Sequence, residues 1–171
     1  YTAGEMGLRE PRVRALAADR EGRVWGGTLS GAAMWDGAAW QTFSLAEAGL
    51  TSETVLALTV DSAGRVWMGT DRGLAVLDLS GGEPAWITYT VSSSSLTSNS
   101  IRALAADPQG RMWIGTDGGG VRVFDDGAWT NYRTANSGLP WNTVSAIAFD
   151  DQGQVWAATE MPTGTGGAGA R

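Results

Sequence analysis

One seven-residue pattern occurs four times in this chain of 171 residues. It appears as GRVWGGT from Gly22, GRVWMGT from Gly64, GRMWIGT from Gly110 and GQVWAAT from Gly153. Its tryptophans are separated by 42, 46 and 43 residues, at Trp25, Trp67, Trp113 and Trp156. Self-similarity at such a period is typical of a repeat architecture, in which each unit is a supersecondary structure that stacks on the next.

Each repeat begins with an apolar stretch that ends in an Asp-x-x-Gly step. The aspartates lie six residues before the tryptophans, at Asp19, Asp61, Asp107 and Asp150. Because an Asp side chain accepts hydrogen bonds from nearby backbone N–H groups and Gly adopts positive φ, this step predicts a turn between two strands. Two more short strands follow, in the first unit as AAMWD and WQTFS. Four antiparallel strands every 42 to 46 residues indicate the blade of a β-propeller.

The predicted fold class is therefore all-β, a β-propeller of four-stranded antiparallel blades with about three and a half blades in this chain. The whole of 1–171 is one propeller segment, divided into the end of a preceding blade with a linker at 1–12, blades at 13–54, 55–100 and 101–143, and an incomplete blade at 144–171. Closed propellers have four to eight blades. We expect either further blades of the same protein, which the end inside a strand favours, or a second copy that completes a seven-bladed ring.

The repeated tryptophan has a structural explanation. A residue at the same place in every blade makes the same contact with the neighbouring blade, because a single blade cannot bury both of its faces. A Trp buries about 150–250 Å² in such a contact, which is worth at most about 4–6 kcal/mol. We therefore expect the repeated Trp and Asp residues to build the fold.

Composition excludes several classes of function. The net charge is −6, with 12 basic residues that are all Arg and 18 acidic residues, which argues against nucleic acid and anionic membranes as partners. The absence of His and Cys removes thiolate and imidazole metal ligands and the usual general base, so we predict no metal, no cofactor and no catalytic residue. No apolar run reaches the roughly 18 residues of a membrane span. No signal peptide is evident, and we expect any targeting signal to lie outside this sequence.

The repeats resemble the two-component regulator propeller family. The resemblance rests on VRALAADREGRVWGGT, VLALTVDSAGRVWMGT, IRALAADPQGRMWIGT and VSAIAFDDQGQVWAAT, and it covers essentially the whole chain. It implies a multi-bladed propeller of the bacterial sensor type, located outside the cytoplasm. The related streptogramin lyases use a histidine and a magnesium ion, and no residue here can take the histidine's role, so the resemblance implies a protein that is not an enzyme.

Trp141 departs from the repeat. The linkers before the first strands read LREPRV, LTSETV, LTSNSI and LPWNTV, so Trp141 stands where the other units have Glu10, Ser52 and Ser98. A loop Trp offers a flat face to a sugar ring or another apolar ligand, or it packs against Pro140.

Two other groups of residues are candidate ligand contacts. Asn99 and Asn142 share one repeat position, where they either bind a polyhydroxylated ligand or, as we favour, cap the turn before the strand. Arg14 and Arg102 occupy the second residue of the first strand; they either point into the channel toward an anionic group or pair with acidic residues of a neighbouring blade. The loop after the Gly-Thr step supplies plausible rim residues, Asp71, Arg72 and Asp117.

Two functions fit these features. The first is a non-catalytic ligand-binding or sensor propeller for signal transduction, which recognises a carbohydrate-like or other small extracellular ligand on its loops and around the central channel. The second is a protein-binding or self-assembling structural scaffold. An enzyme fits least well, since its catalytic groups would have to come from another part of the protein.

Overall fold

The computed structural model describes residues 7, 9 and 12–161. Most of the predicted preceding-blade segment at 1–12, and a third strand in the incomplete blade near Ala168, lie outside the described residues. Within them the chain forms strands and turns without a helix. No described segment is a helix with the length and apolar character that a membrane crossing needs.

Three sheets of four strands and one of two strands follow one another along the chain. Blade 1 contains β1 to β4, at Ala15–Ala18, Val24–Thr28, Gly31–Trp35 and Trp40–Phe43. Blade 2 contains β5 to β8, at Val55–Val60, Val66–Thr70, Leu74–Asp78 and Ala85–Tyr89. Blade 3 contains β9 to β12, at Ile101–Ala106, Met112–Thr116, Gly120–Asp125 and Ala128–Tyr132. Blade 4 contains β13 and β14, at Thr143–Phe149 and Val155–Glu160.

The strands of each sheet pair antiparallel in sequence order. The first strands of successive blades lie beside one another, β1 next to β5, β5 next to β9 and β9 next to β13. The sheets are therefore arranged radially around a channel lined by their first strands. The predicted fold class, a partial propeller of four-stranded antiparallel blades, is confirmed.

The Asp-x-x-Gly step closes the turn between the first two strands. In blade 2, Asp61 Oδ1 accepts hydrogen bonds from the backbone N–H groups of Ala63 and Arg65, both at 2.9 Å. The N–H of Gly64 donates to the Asp61 carbonyl at 3.0 Å, and Gly64 has a φ of 82°, which only glycine adopts without strain. The same backbone bonds recur in the other three blades, so this local sequence is sufficient to form the turn.

Apolar clusters fill the spaces between blades. Trp25 packs with Val55 and Met68 between blades 1 and 2. Trp67, which is 1% exposed, packs with Ile101 and Ile114 between blades 2 and 3. Trp113 lies against Val144 between blades 3 and 4. The tryptophans are therefore the contacts that join one blade to the next.

In blades 1 to 3, the glycine two residues after the tryptophan allows the next blade to approach closely. A Cβ added to Gly69 would lie 2.5 Å from Ile101 Cγ2 and 2.9 Å from Ile101 Cβ. Gly27 and Gly115 stand in the same relation to Val55 and Val144. No side chain larger than hydrogen fits at this position without moving the neighbouring blade.

The two outermost blade faces of the described chain are open. Leu16 of blade 1 is 67% exposed, although its counterpart Leu58 is buried against blade 1. Trp156 of blade 4 is 64% exposed, although its counterparts are packed between blades. Each open face thus presents the residue that an additional blade would cover.

Candidate functional site

In blades 2 to 4, the second residue of the repeat's VxAL-type segment lies in a β-bulge of the first strand. In blade 1 the same repeat position is held by Arg14, directly before β1. In blade 2, Val55 pairs with Thr70 and Ala57 with Gly69, so Leu56 is an extra residue in the ladder. The same register shift isolates Arg102 in blade 3 and Ser145 in blade 4. A bulge redirects a side chain, and strict alternation would otherwise put Arg102 on the same face as Leu104, which packs toward blade 2.

These bulge residues converge on one cavity of about 310 Å³. Its lining contains the residue at this repeat position from each of the four blades, together with one serine that precedes β9: Arg14, Leu56, Ser100, Arg102 and Ser145. The sequence left open whether Arg14 and Arg102 face the channel or a neighbouring blade, and the structure places both at the channel. Leu56, Ser100 and Ser145 were not predicted as site residues. Leu56 and Ser145 share the repeat position of the arginines, which is the signal that identifies them, whereas Ser100 lies two residues before Arg102.

The two arginines differ in their partners. Arg102 Nη2 donates to Asp117 Oδ2 at 2.8 Å, and its Nη1 lies 3.7 Å from Glu160 Oε2. Asp117 also accepts a hydrogen bond from Thr143 Oγ1 at 3.1 Å through its other oxygen. The Arg102 charge is therefore neutralised by carboxylates of blades 3 and 4.

Arg14 makes no ion pair or side-chain hydrogen bond with any residue in the described part of the chain. The reason is local: the position that Asp117 holds in blade 3 is occupied in blade 1 by Leu29. Arg14 is exposed to solvent and lines the cavity. It is thus the cationic group of the cavity whose charge no described carboxylate balances.

Asp71 and Arg72 lie on the loop after β6, and Asp71 holds the repeat position of Asp117. Both are exposed, and Arg72 Nε is 3.8 Å from Asp71 Oδ2. Neither lines the channel cavity. Ion pairs this exposed contribute little free energy. Both side chains are therefore available at the end of the blades that carries the loops after β6 and β10, called here the loop face.

Asn99 and Asn142 cap the turns that precede their strands. Asn99 Oδ1 accepts a hydrogen bond from the Val91 N–H at 2.8 Å, and Asn142 Oδ1 accepts one from the Thr134 N–H at 2.9 Å. Glu53, at the same repeat position, accepts from the Leu45 N–H at 2.8 Å. This shared backbone contact accounts for the polar residue at this position.

Trp141 lies on the loop before β13 and is 39% exposed. It does not line the channel cavity. The loop in which it stands enters the same end of blade 4 as the bulge residue Ser145, so its ring is on the loop face that carries the cavity mouth.

The repeated aspartates hold the repeated tryptophans. Asp19 Oδ2 accepts from Trp25 Nε1 at 2.9 Å and from Arg23 Nε at 2.6 Å. Burial by itself raises the pKa of Asp19, but the hydrogen bonds from Trp25 and Arg23 outweigh it, so the net pKa is below the ordinary value of 3.8. The arginine of the GRVW pattern was not predicted to take part. Its recurrence directly after the Asp-x-x-Gly step in blades 1 to 3 is the signal that could have identified it.

Three of these aspartates surround a second cavity of about 320 Å³ at the opposite end of the first strands, lined in part by Asp19, Asp61 and Asp107. Their carboxylates are engaged by the Trp and Arg donors and by backbone N–H groups. Within residues 7, 9 and 12–161, no acidic side chains gather into a group that could hold a metal ion. The aspartates at this end of the channel are therefore explained by their structural role in the turns.

Comparison with protein families gives a match to three segments of the chain. The two-component regulator propeller model matches residues 49–72, 95–118 and 138–161. Each match runs from the linker before a first strand to the loop after the second strand. No curated protein matches the chain.

Solved structures share the fold. The extracellular domain of the hybrid two-component system BT3049 from B. thetaiotaomicron is 24% identical with a TM-score of 0.75; the match covers 92% of this chain and 22% of that one. Virginiamycin B lyase from Staphylococcus aureus, solved with quinupristin, is 16% identical with a TM-score of 0.67, over 85% of this chain and 48% of that one. YCF48 bound to D1 peptide is 22% identical with a TM-score of 0.53, over 70% of this chain and 39% of that one.

At these identities the structural likeness establishes the propeller fold and not the activity. The chain spans about a fifth of the length of the first of these proteins and just under half of the second. The motif, the blade geometry and the family match agree on one conclusion: the chain is a segment of a β-propeller, and three of its segments match the two-component regulator propeller repeat.

Proposed function

We propose that this chain is part of a non-catalytic, sensor-type propeller that binds a small ligand at the loop-face mouth of its channel. The observation that carries the proposal is Arg14, a cation at a 310 Å³ cavity with no partner among the described residues. Similar repeats occur in the extracellular domain of a hybrid two-component system. By that analogy the propeller lies outside the cytoplasm and passes ligand binding to a signalling module.

The cavity lining favours a carbohydrate-like ligand. Ser100 and Ser145 offer hydroxyl groups that both donate and accept, Arg14 offers guanidinium donors, and Leu56 offers an apolar surface. The volume is near the lower end of the range for ligand pockets, which suits a group the size of one sugar ring. Trp141 on the same loop face adds an aromatic surface on which a neighbouring ring can stack.

We assign no catalytic step to this site. The sequence has no histidine, so the role of the catalytic histidine in streptogramin lyases falls on no residue here. Arginine stays protonated at neutral pH and does not serve as a general base. Binding is the chemistry that these side chains supply.

A panel of neutral and acidic oligosaccharides, screened on an array and followed by calorimetric titration of each positive glycan, tests the proposal. Arg14→Leu places in blade 1 the residue type that blade 2 carries as Leu56, so the variant is expected to fold. It should weaken binding by about tenfold or more, because a charge-assisted hydrogen bond is lost. Arg20→Ala, at the far end of the first strand, is the control and should bind normally. Absence of binding to every glycan, or equal binding by Arg14→Leu, would contradict the proposal.

The open blade faces favour a second candidate, a scaffold that associates with other polypeptide. Leu16 and Trp156 expose apolar surface that the internal repeats bury. Further blades of the same protein, a second copy or a bound peptide, as in the YCF48 complex with D1 peptide, are the partners that suit such faces. Light scattering after gel filtration tests the second copy: a folded monomer at all concentrations would exclude self-assembly of this chain.

A further inference from the structure

Blade 3 departs from the repeat at three neighbouring positions of its outer strands. It carries Arg122, Asn131 and Arg133. Blade 1 carries Ala33, Thr42 and Ser44 at these positions, and blade 2 carries Ala75, Thr88 and Thr90. Where blades 1 and 2 carry small or hydroxylated side chains, blade 3 thus carries two guanidinium groups and an amide. The blade-to-blade contact alone does not require this set, since blades 1 and 2 form without it.

The three residues lie together on one face of the sheet. Arg122 and Asn131 are direct cross-strand partners in the pairing of β11 with β12. Arg133 follows β12 directly, and its Cγ would lie 3.0 Å from a Cβ on Gly120, which places its stem beside the start of β11. Two residues along a strand return to the same face, so all three side chains form a single group, called here the blade 3 arginine cluster.

The face that carries the cluster is the one turned toward blade 2. Phe124 and Trp129 occupy the next positions on it, and their rings lie 5.5 and 5.4 Å from the ring of Tyr89 in blade 2. The cluster therefore lies on the same face of blade 3 as these aromatic rings, on the side of blade 2. It is near the loop face, because Gly120 begins β11 and Arg133 follows the end of β12.

Two polar atoms of the cluster have no hydrogen-bond partner among the described residues. Arg122 Nε and Asn131 Oδ1 are both buried and have no hydrogen-bond partner. Neither Arg122 nor Arg133 forms an ion pair with a described carboxylate. Burial, and secondly the charge of Arg133, lower the pKa of Arg122. Two like charges and an unpaired donor at a partly buried position are unfavourable unless something else neutralises them.

We propose that the blade 3 arginine cluster binds an oxyanion, a carboxylate or a sulfate, on a ligand that also carries a neighbouring hydroxyl. The oxyanion accepts hydrogen bonds from Arg122 and Arg133, whose planar guanidinium groups match its geometry. The hydroxyl donates to Asn131 Oδ1, an acceptor that the anion itself cannot satisfy. An acidic sugar combines both groups. This site is separate from the channel cavity and does not depend on Arg14.

The experiment uses the full chain labelled with ¹⁵N and follows the Nε–H resonances of its arginines by NMR. The probes are D-glucuronate, D-glucose 6-sulfate, D-glucose and acetate, each at matched ionic strength. At least one of the two acidic probes, glucuronate or the sulfate ester, should shift the Arg122 resonance. Glucose, which carries no oxyanion, should not shift it. Acetate, which lacks the hydroxyl, should bind several-fold more weakly than glucuronate.

Three variants return each position to a residue that another blade carries, so folding is expected to be retained. Arg122→Ala and Arg133→Thr should each weaken binding of the acidic probes by about tenfold. Asn131→Thr should reduce the advantage of glucuronate over acetate. Arg20→Ala should bind like the native chain. Equal shifts with glucose and glucuronate, no shift with either acidic sugar, or unchanged binding by Arg122→Ala would overturn the proposal.

Discussion

Trp67 Nε1 donates a 2.8 Å hydrogen bond to Asp61 Oδ2, and both side chains are buried. The same carboxylate oxygen accepts from Arg65 Nε at 2.7 Å, and the guanidinium carbon of Arg65 lies 5.7 Å from the centre of the Trp67 ring. One aspartate thus fixes both the turn that closes a hairpin and the indole that joins two blades. Local and inter-blade structure are therefore coupled through a single residue.

Replacing Asp61 should destabilise the protein strongly. Asp61→Ala removes the acceptor of four hydrogen bonds and leaves the indole N–H of Trp67 buried without a partner, so the expected loss is about 3 kcal/mol in the free energy of unfolding. Urea denaturation followed by tryptophan fluorescence measures it. The matched control is Asp150→Ala, because Asp150 makes the same bond to Trp156 on an exposed face. A larger loss for Asp150 than for Asp61 would contradict this account.

Stability should fall in acid because of Asp107. Burial raises the pKa of Asp107, but hydrogen bonds from Trp113 and Arg111 outweigh it and hold the pKa below 3.8. A carboxyl group with a lowered folded-state pKa stabilises the fold above its unfolded pKa, and that contribution is lost as the pH falls through the folded value. Urea midpoints should therefore decrease from about pH 5 downward.

Asp107→Asn isolates this effect. The variant should be less stable than the native chain at pH 7. The difference should shrink below about pH 4, where the carboxyl of the unfolded chain takes up a proton before the folded one does. The measurement is the free energy of unfolding of both proteins from pH 7 to pH 3. A difference that stays constant across this range would show that the Asp107 charge does not contribute.

The two tryptophans at the extremes of burial should respond differently to truncation. Trp67→Ala opens a cavity between blades 2 and 3 and should cost about 3–5 kcal/mol. Trp156→Ala removes a largely exposed ring and should change stability by about 0.5 kcal/mol or less. Both are measured by thermal and urea unfolding. Comparable losses would mean that the blade 4 face is covered in solution.

The glycine of the Gly-Thr step should not tolerate a methyl group. Gly69→Ala brings a Cβ within 2.5 Å of Ile101 Cγ2, and the overpacking should cost about 1–3 kcal/mol. Gly81→Ala is the control, since a Cβ there meets no atom within 4 Å. Thermal unfolding of the two variants gives the comparison. An unchanged Tm for Gly69→Ala would show that the blades can move apart without loss of stability.

Much of the blade was predictable from local sequence. The Asp-x-x-Gly turn depends on contacts within five residues, and the strand pattern recurs every 42 to 46 residues, so the sequence alone predicts the four-stranded unit. The bond from Asp61 to Trp67 was not predicted, because the two residues lie on adjacent strands and their meeting depends on the hairpin register. The arginine cluster of blade 3 was missed for the same reason: Arg122 and Asn131 are neighbours only through strand pairing.

Whether Arg14 and Arg102 face the channel or a neighbouring blade could be decided only from the tertiary structure. Alternation along a strand would have turned Arg102 toward blade 2, and the β-bulge redirects it to the channel. The partner of each arginine depends in turn on the residue that a separate loop brings beside it, Asp117 in blade 3 and Leu29 in blade 1. By itself the sequence determined the repeat, the turns and the blade, because these depend on short-range hydrogen bonds and residue period. Which side chains share a cavity, and which charges stay unpaired, was decided by the stacking of blades, since only that stacking brings distant strands together.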